Sequence, residues 1–153
     1  MSLATWTPPA IDAALATAAA FGASGGRAAP LAGEPLPTVL HVPSIGLVAA
    51  GDVAYNGVHQ YITEGGGGLQ EWLRAIDRVA ELRPRTVIAG HKNKDRPDDP
   101  AILAETRPYL QDVIRLLDDK PAAREFFDQM IALYPDRLNP FPVWWGASGL
   151  LGG

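Results

Sequence analysis

The sequence predicts an α/β fold, in the broad sense that includes α+β, with one small sheet and several amphipathic helices. Short apolar runs rich in β-branched residues predict the strands. Longer segments with apolar residues at helical spacing predict the helices. The chain has 153 residues, 47% hydrophobic and 20% charged, which suits one ordinary domain with a real core.

Residues 1–37 differ in composition from the rest, because they are rich in Ala, Gly and Pro and almost free of charge. Within them, "PPAIDAALATAAAF" predicts a helix, since Ala is the best helix former and Pro suits the first turn. The Pro and Gly content of residues 27–37 predicts a loop. We therefore expect a loosely packed arm over residues 1–37, followed by a compact part over residues 38–153.

Three segments of the compact part predict strands. "TVLHV" is followed by the turn "PSIG", and the apolar run "LVAAGD" then predicts a buried second strand antiparallel to the first. "RTVIAGHK" predicts a third buried strand after a helical segment.

Three segments predict helices, giving the order ββαβαα. The first is "LQEWLRAIDRVAELRP", which Pro84 ends; the second is "PAILAETRPYLQDVIRLL", which Pro108 should kink or split. The third is "KPAAREFFDQMIALYP". Its core candidates are Phe126, Phe127, Met130, Ile131 and Leu133. We expect an irregular tail in which Trp144 and Trp145 cover apolar surface.

Two of the predicted strands end alike, in "VAAGD" and "VIAGH", so that Asp52 and His91 each follow a glycine. If these strands lie close in one sheet, both side chains emerge at the same edge of it. A carboxylate and an imidazole together suit Zn²⁺, Mn²⁺ or Fe²⁺, and glycine lets the backbone approach an ion closely. The alternative is an ordinary turn, with Asp52 capping nearby amides and His91 hydrogen-bonded at a strand end.

The sequence over about residues 38–139 resembles the C-terminal half of the metallo-β-lactamase superfamily. The similarity rests on "HVPSIGLVAAGDVAYNGVHQY", "EWLRAIDRVAELRPRTVIAGHK" and "DDPAILAETRPYL". It implies half of an αββα sandwich, with a small mixed sheet and helices on one side. It also implies that Asp52 is the catalytic carboxylate that bridges two metal ions, and that His91 binds the second ion.

The resemblance implies a hydrolase in which a metal-bound hydroxide attacks an ester, amide or thioester carbonyl. This sequence departs from the family pattern, because its only histidines are His41, His59 and His91 and it has no His-x-His-x-Asp-His motif. The further ligand histidine before the first strand is also absent from "RAAPLAGEPLP". Since a zinc site needs about three or four protein ligands, we expect weak or no binding of Zn²⁺, Mn²⁺ or Fe²⁺ by this chain alone.

Four further residues are candidates for positions around the metal or the substrate. His59 is a structural residue, a group that orients a metal ligand, or a ligand itself. Tyr55 and Asn56 line a substrate pocket, or they satisfy backbone groups of a turn. Lys92 holds a substrate carboxylate or phosphate, or it is simply solvated.

Composition narrows the partners and the compartment. The net charge of −4 and the lack of a basic run argue against nucleic acid and an anionic membrane surface. No stretch is long and apolar enough to span a bilayer. The absence of cysteine excludes disulfides and thiolate metal sites and fits a reducing compartment. We therefore expect a cytoplasmic protein.

Three functions remain open from the sequence. The first is a metallo-hydrolase of metallo-β-lactamase type with an incomplete ligand set, acting on a small-molecule substrate. The second is a catalytically inactive remnant that folds without metal. The third is a half-domain that acts through a protein partner, because a half-sandwich leaves one sheet face uncovered. The partner would be a second copy or a complementary N-terminal half.

Overall fold

The computed structural model describes residues 39–63 and 68–152, and this part has a mixed α+β fold. A 3₁₀ turn, Pro43–Ile45, joins the first two strands. The three strands and four helices are, in chain order, β1 (Leu40–Val42), β2 (Leu47–Asn56), α1 (Leu69–Glu81), β3 (Thr86–Lys92), α2 (Ala101–Asp118), α3 (Ala123–Leu133) and α4 (Phe141–Leu151). The predicted arm over residues 1–37, with its helix, lies outside the described residues.

The sheet is mixed and has the strand order β1-β2-β3. β1 and β2 are antiparallel, as predicted, and β2 and β3 are parallel. The β1–β2 connection ends at Gly46, whose φ of 63° is left-handed and whose N–H donates to the Pro43 carbonyl. A Cβ there would lie 2.8 Å from Arg85 Nε, so glycine suits both the backbone and the space. The parallel β2–β3 pair requires a crossover, and α1 lies within it.

The helices pack against one face of the sheet. Alternate residues of β2 and β3 are buried: Val48, Ala50, Val87 and Ala89. They form one core with apolar residues of α1 and α2, including Trp72, Ile76 and Leu110. The residues between them, such as Ala49 and Ile88, are only half-buried. Because strand side chains alternate between faces, this pattern places the helical layer on one side.

A second core joins α2, α3 and α4. Its buried members include Tyr109, Val113, Phe126, Met130, Val143 and Ala147. Phe126 and Met130 therefore lie in the core as predicted, whereas Phe127 and Ile131 are half-buried. The prediction is wrong for Leu133, which is 46% exposed. Leu133 is the last residue of α3 and lines an open surface cleft with Tyr134 and Pro135.

Pro108 does not split α2, which continues from Ala101 to Asp118. A proline removes the hydrogen bond to the carbonyl four residues earlier, here that of Ala104. Ala104 and Pro108 are both exposed, so the part of α2 that lacks this hydrogen bond faces solvent. Solvent on this side of α2 thus explains why the helix tolerates proline.

The prediction of an irregular tail is wrong, because residues 141–151 form α4. Pro142 occupies the first turn, where proline is favoured, but the glycines that follow obscure the helical signal in the sequence. Val143, Gly146 and Ala147 are buried, while Trp144 and Trp145 are 43% and 50% exposed. Tertiary packing therefore stabilises this helix.

No helix in the described part of the chain is long and apolar enough to cross a membrane.

Candidate functional site

Asp52 lies inside β2 and not at its end, because the strand continues to Asn56. The expectation that the strand stops at Gly51-Asp52 is therefore wrong. Gly51 has a φ of 52°, and the register with β3 shifts on both sides of it. Between the pairs Gly51–Ala89 and Tyr55–His91, β2 has three residues and β3 has one. Such a bulge redirects side chains, and here Asp52 is exposed.

The bulge brings Asp52 and His91 together on neighbouring parallel strands. His91 Nε2 lies 3.3 Å from Asp52 Oδ1, and the two side chains are 45% and 56% exposed. The sequence singled out this pair, and the structure brings the two side chains within hydrogen-bonding distance. An accessible imidazole nitrogen and a carboxylate oxygen that lie this close together are suitable ligand atoms for a divalent transition metal.

Gly90 allows the close approach of the two strands at this point. A Cβ on residue 90 would lie 2.8 Å from Asp52 Oδ1 and 2.9 Å from the carbonyl carbon of Gly51. The second contact is with backbone, so a side-chain rotation does not relieve it. Glycine before His91 is thus required by the packing of β3 on the bulge.

Two tyrosine rings contact the His91 imidazole. Tyr55, the register partner of His91, is fully buried and stacks on it with ring centroids 5.2 Å apart and an interplanar angle of 17°. The centroid of the Tyr61 ring lies 5.4 Å from that of His91, with the planes tilted by 44°. These contacts limit the orientations of the imidazole while its edge reaches Asp52.

Asn56 and Lys92 lie at the far end of the β2–β3 pair. The buried Asn56 side chain donates from Nδ2 to the Pro97 carbonyl at 2.8 Å, and the Asn56 backbone carbonyl accepts from the Asn93 N–H. Lys92 donates to Asp98 Oδ1 at 2.6 Å. Asn56 therefore holds the loop after β3, and Lys92 has an acidic neighbour.

The structure buries His59 in a different place from Asp52 and His91. His59 is 2% exposed, and its Nδ1 lies 3.0 Å from the hydroxyl of the buried Tyr109. Burial, and then the charge of Arg137, lower the pKa of His59 to about 4. His59 is therefore neutral at pH 7, and its ring packs against α2.

Arg137 completes this buried cluster. Its guanidinium donates to the Val58 and Glu105 carbonyls at 2.9 and 3.0 Å. It also lies over the Tyr109 ring, 4.8 Å from the centroid. Burial lowers the pKa of Arg137 and raises that of Tyr109. The cluster ties the segment after β2 to α2 and to the segment after α3.

The donor set around Asp52 and His91 fits a transition metal in type but is incomplete in number. Over residues 39–63 and 68–152, no group of three or more His, Cys, Asp or Glu side chains is placed to hold a metal ion. A zinc site uses about three or four protein ligands. Asp52 and His91 therefore supply about half of such a ligand set.

Sequence reasoning missed two residues beside the site, Tyr61 and Trp145. Tyr61 contacts His91, and the Trp145 ring contacts Tyr61 in a T-shaped arrangement with centroids 6.1 Å apart. No sequence pattern indicates this contact, because Trp145 belongs to a helix that the sequence does not predict.

A scan of protein-family models finds no match for this chain. Searches of curated proteins and of solved structures also find no match.

Proposed function

We propose that this chain carries part of a metallo-hydrolase site of metallo-β-lactamase type, in which Asp52 and His91 are metal ligands. The observation that carries the proposal is the 3.3 Å approach of two accessible donors from adjacent parallel strands. A carboxylate and an imidazole presented in this way have the donor types that Zn²⁺, Mn²⁺ and Fe²⁺ share. The sequence resemblance assigns the same two residues.

In this proposal, the Asp52 carboxylate and His91 Nε2 hold the metal, and Tyr55 fixes the orientation of the imidazole. A metal ion held by these two residues would supply a nucleophile for hydrolysis at neutral pH. The substrate is a small molecule with an ester, amide or thioester bond, and the protein acts in the cytoplasm.

The remaining ligands come from a second copy of the chain or from a complementary N-terminal half. The incomplete donor set supports this view, because two ligands alone hold zinc weakly. The same observation favours a second candidate function, a catalytically inactive half-domain that acts through a protein partner. The two candidates differ in whether metal is bound once the assembly has formed.

The test is the zinc, manganese and iron content of the purified chain, measured by mass spectrometry together with the molar mass in solution. Asp52→Ala and His91→Ala remove the proposed ligands. Asp128→Ala is the matched control, because it removes an exposed carboxylate that pairs with Arg124 on the surface of α3. The same measurements are repeated after Zn²⁺ is added and excess metal removed.

We expect near-stoichiometric metal in a dimer or larger species, lost in Asp52→Ala and His91→Ala and retained in Asp128→Ala. Metal content equal in all four proteins would exclude Asp52 and His91 as ligands. A folded wild-type protein that stays metal-free in every oligomeric form would leave the inactive half-domain as the function.

A further inference from the structure

An aromatic pair, Tyr61 and Trp145, lies next to the proposed metal ligand His91. The Tyr61 ring contacts both the His91 ring and the Trp145 ring, with centroid distances of 5.4 and 6.1 Å. Tyr61 is half-buried and Trp145 is 50% exposed. The three rings form a continuous surface from the ligand to α4.

Close packing of α4 on residues 61–63 fixes the position of this pair. A Cβ on Gly146 would lie 2.4 Å from Ile62 Cγ1, so only glycine allows α4 to approach so closely. One turn further along, Gly149 faces Thr63. Because Gly146 sits on Ile62, the preceding residue Trp145 is held against Tyr61.

The neighbouring Trp144 provides an internal comparison. It is 43% exposed, similar to Trp145, but its ring packs against Phe127, with centroids 5.6 Å apart. The two tryptophans therefore share one helix and similar exposure, while only Trp145 extends the surface that begins at His91.

We propose that Tyr61 and Trp145 bind the aromatic group of the substrate that is hydrolysed at the Asp52–His91 site. This inference rests on the proposed function, because it assigns a substrate class to that site. An aromatic ring placed on the pair buries apolar area and makes offset or edge-to-face contacts.

The geometry also gives the orientation of the substrate. The scissile carbonyl lies toward Asp52 and His91, and the aromatic group extends from it along Tyr61 toward α4. The hydrolysis product that keeps both features is an aromatic carboxylate. Such a product is a stable probe of the proposed subsite.

The test measures binding of 2-naphthoate by ligand-detected NMR titration, with acetate as the carboxylate that lacks a ring. Each titration is run with and without Zn²⁺ on the wild type, Trp145→Ala, Trp145→Phe and Trp144→Ala. Circular dichroism checks that each variant is folded, and metal content is measured on the same samples.

We expect Trp145→Ala to weaken 2-naphthoate binding about tenfold, Trp145→Phe to restore most of it and Trp144→Ala to change it by less than about twofold. Acetate should bind more weakly than 2-naphthoate. This dependence on Trp145 in a metal-free protein would support the aromatic subsite while the metal proposal fails. Normal metal content with no 2-naphthoate binding, or with equal losses in Trp144→Ala and Trp145→Ala, would overturn the subsite alone.

Discussion

Two histidines of this protein, His59 after β2 and His91 within β3, have opposite environments. The His91 side chain is 45% exposed and faces Asp52, whereas His59 is 2% exposed and faces the Tyr109 hydroxyl. His91 belongs to a bulged sheet edge, and His59 belongs to a cluster that ties helices together. A histidine near a carboxylate in sequence is therefore a ligand candidate only if the fold leaves its nitrogen accessible.

The different environments of His59 and His91 also suggest different roles, one in stability and one in the proposed function. The buried cluster uses Arg137, Tyr109 and His59 to satisfy one another and nearby carbonyls, so each loss leaves a buried group without its partner. The Asp52–His91 pair is open to water, which satisfies either group after the other is removed. We therefore expect the cluster to contribute mainly to stability, and the Asp52–His91 pair to contribute mainly to the metal binding that we propose.

Among these changes, we expect Arg137→Ala to reduce the free energy of unfolding most. It removes the side-chain donor that the Val58 and Glu105 carbonyls share and takes the cation away from the Tyr109 ring. We expect the free energy of unfolding to fall by about 3 kcal/mol, measured by urea denaturation at pH 7. Arg124→Ala, which breaks an exposed pair on α3, is the control and should cause no measurable loss. A similar loss in both variants would contradict a special role for the buried cluster.

Acidification should destabilise the protein through His59. Its pKa falls from 6.5 to about 4 on folding, so between these values the unfolded chain binds a proton that the folded chain does not. The free energy of unfolding therefore decreases as the pH falls from about 6.5 to about 4, by about 2–3 kcal/mol from this residue.

The measurement compares urea denaturation of the wild type and His59→Gln across this pH range. Glutamine keeps a polar group near Tyr109 but does not titrate, so the difference between the two proteins isolates His59 from the carboxylates. Parallel pH profiles for the two proteins would show that burial does not hold His59 neutral.

Gly90→Ala should affect both stability and metal binding. Its Cβ would lie 2.9 Å from the Gly51 carbonyl carbon and displace Asp52, so we expect a loss of about 2 kcal/mol and reduced metal content. Gly149→Ala, within α4, is the matched control. The new Cβ would make an ordinary van der Waals contact with Thr63 at 3.6 Å. That change should stabilise the protein by about 0.5–1 kcal/mol. Unchanged metal content in Gly90→Ala would argue against the tight strand packing at Asp52.

The smallest effect on stability is expected for His91→Gln. The pair with Asp52 is about half exposed on both sides, and such pairs contribute little. We expect the free energy of unfolding to change by less than about 0.5 kcal/mol while bound metal is lost. A loss of stability close to that of Arg137→Ala would mean that His91 is structural, like His59.

Much of the fold follows from local patterns. Helical spacing predicted α1, α2 and α3, and the short β-branched runs predicted the three strands. The approach of Asp52 and His91 was predictable only on the condition that their strands are neighbours, and the β2–β3 pairing meets that condition. The extension of β2 beyond Asp52 was not predictable, because the bulge depends on pairing with β3.

The neighbours of the site depended on contacts between distant parts of the chain. Tyr61 meets Trp145 only because Gly146 lets α4 pack on Ile62. Arg137 reaches Val58 and Tyr109 only after α3 has returned the chain to the end of β2. Neither contact has a periodicity or a motif that shows in the sequence.

The sequence by itself determined the types of helix and strand, the pairing of the first two strands and the identity of the two candidate ligands, because spacing and residue chemistry are local properties. The tertiary structure alone decided that His59 is buried and His91 accessible, that α4 forms, and that an aromatic surface adjoins the site. Burial and side-chain contact depend on which distant segments pack together. For this protein they separate the histidine that supports the fold from the one that we propose binds metal.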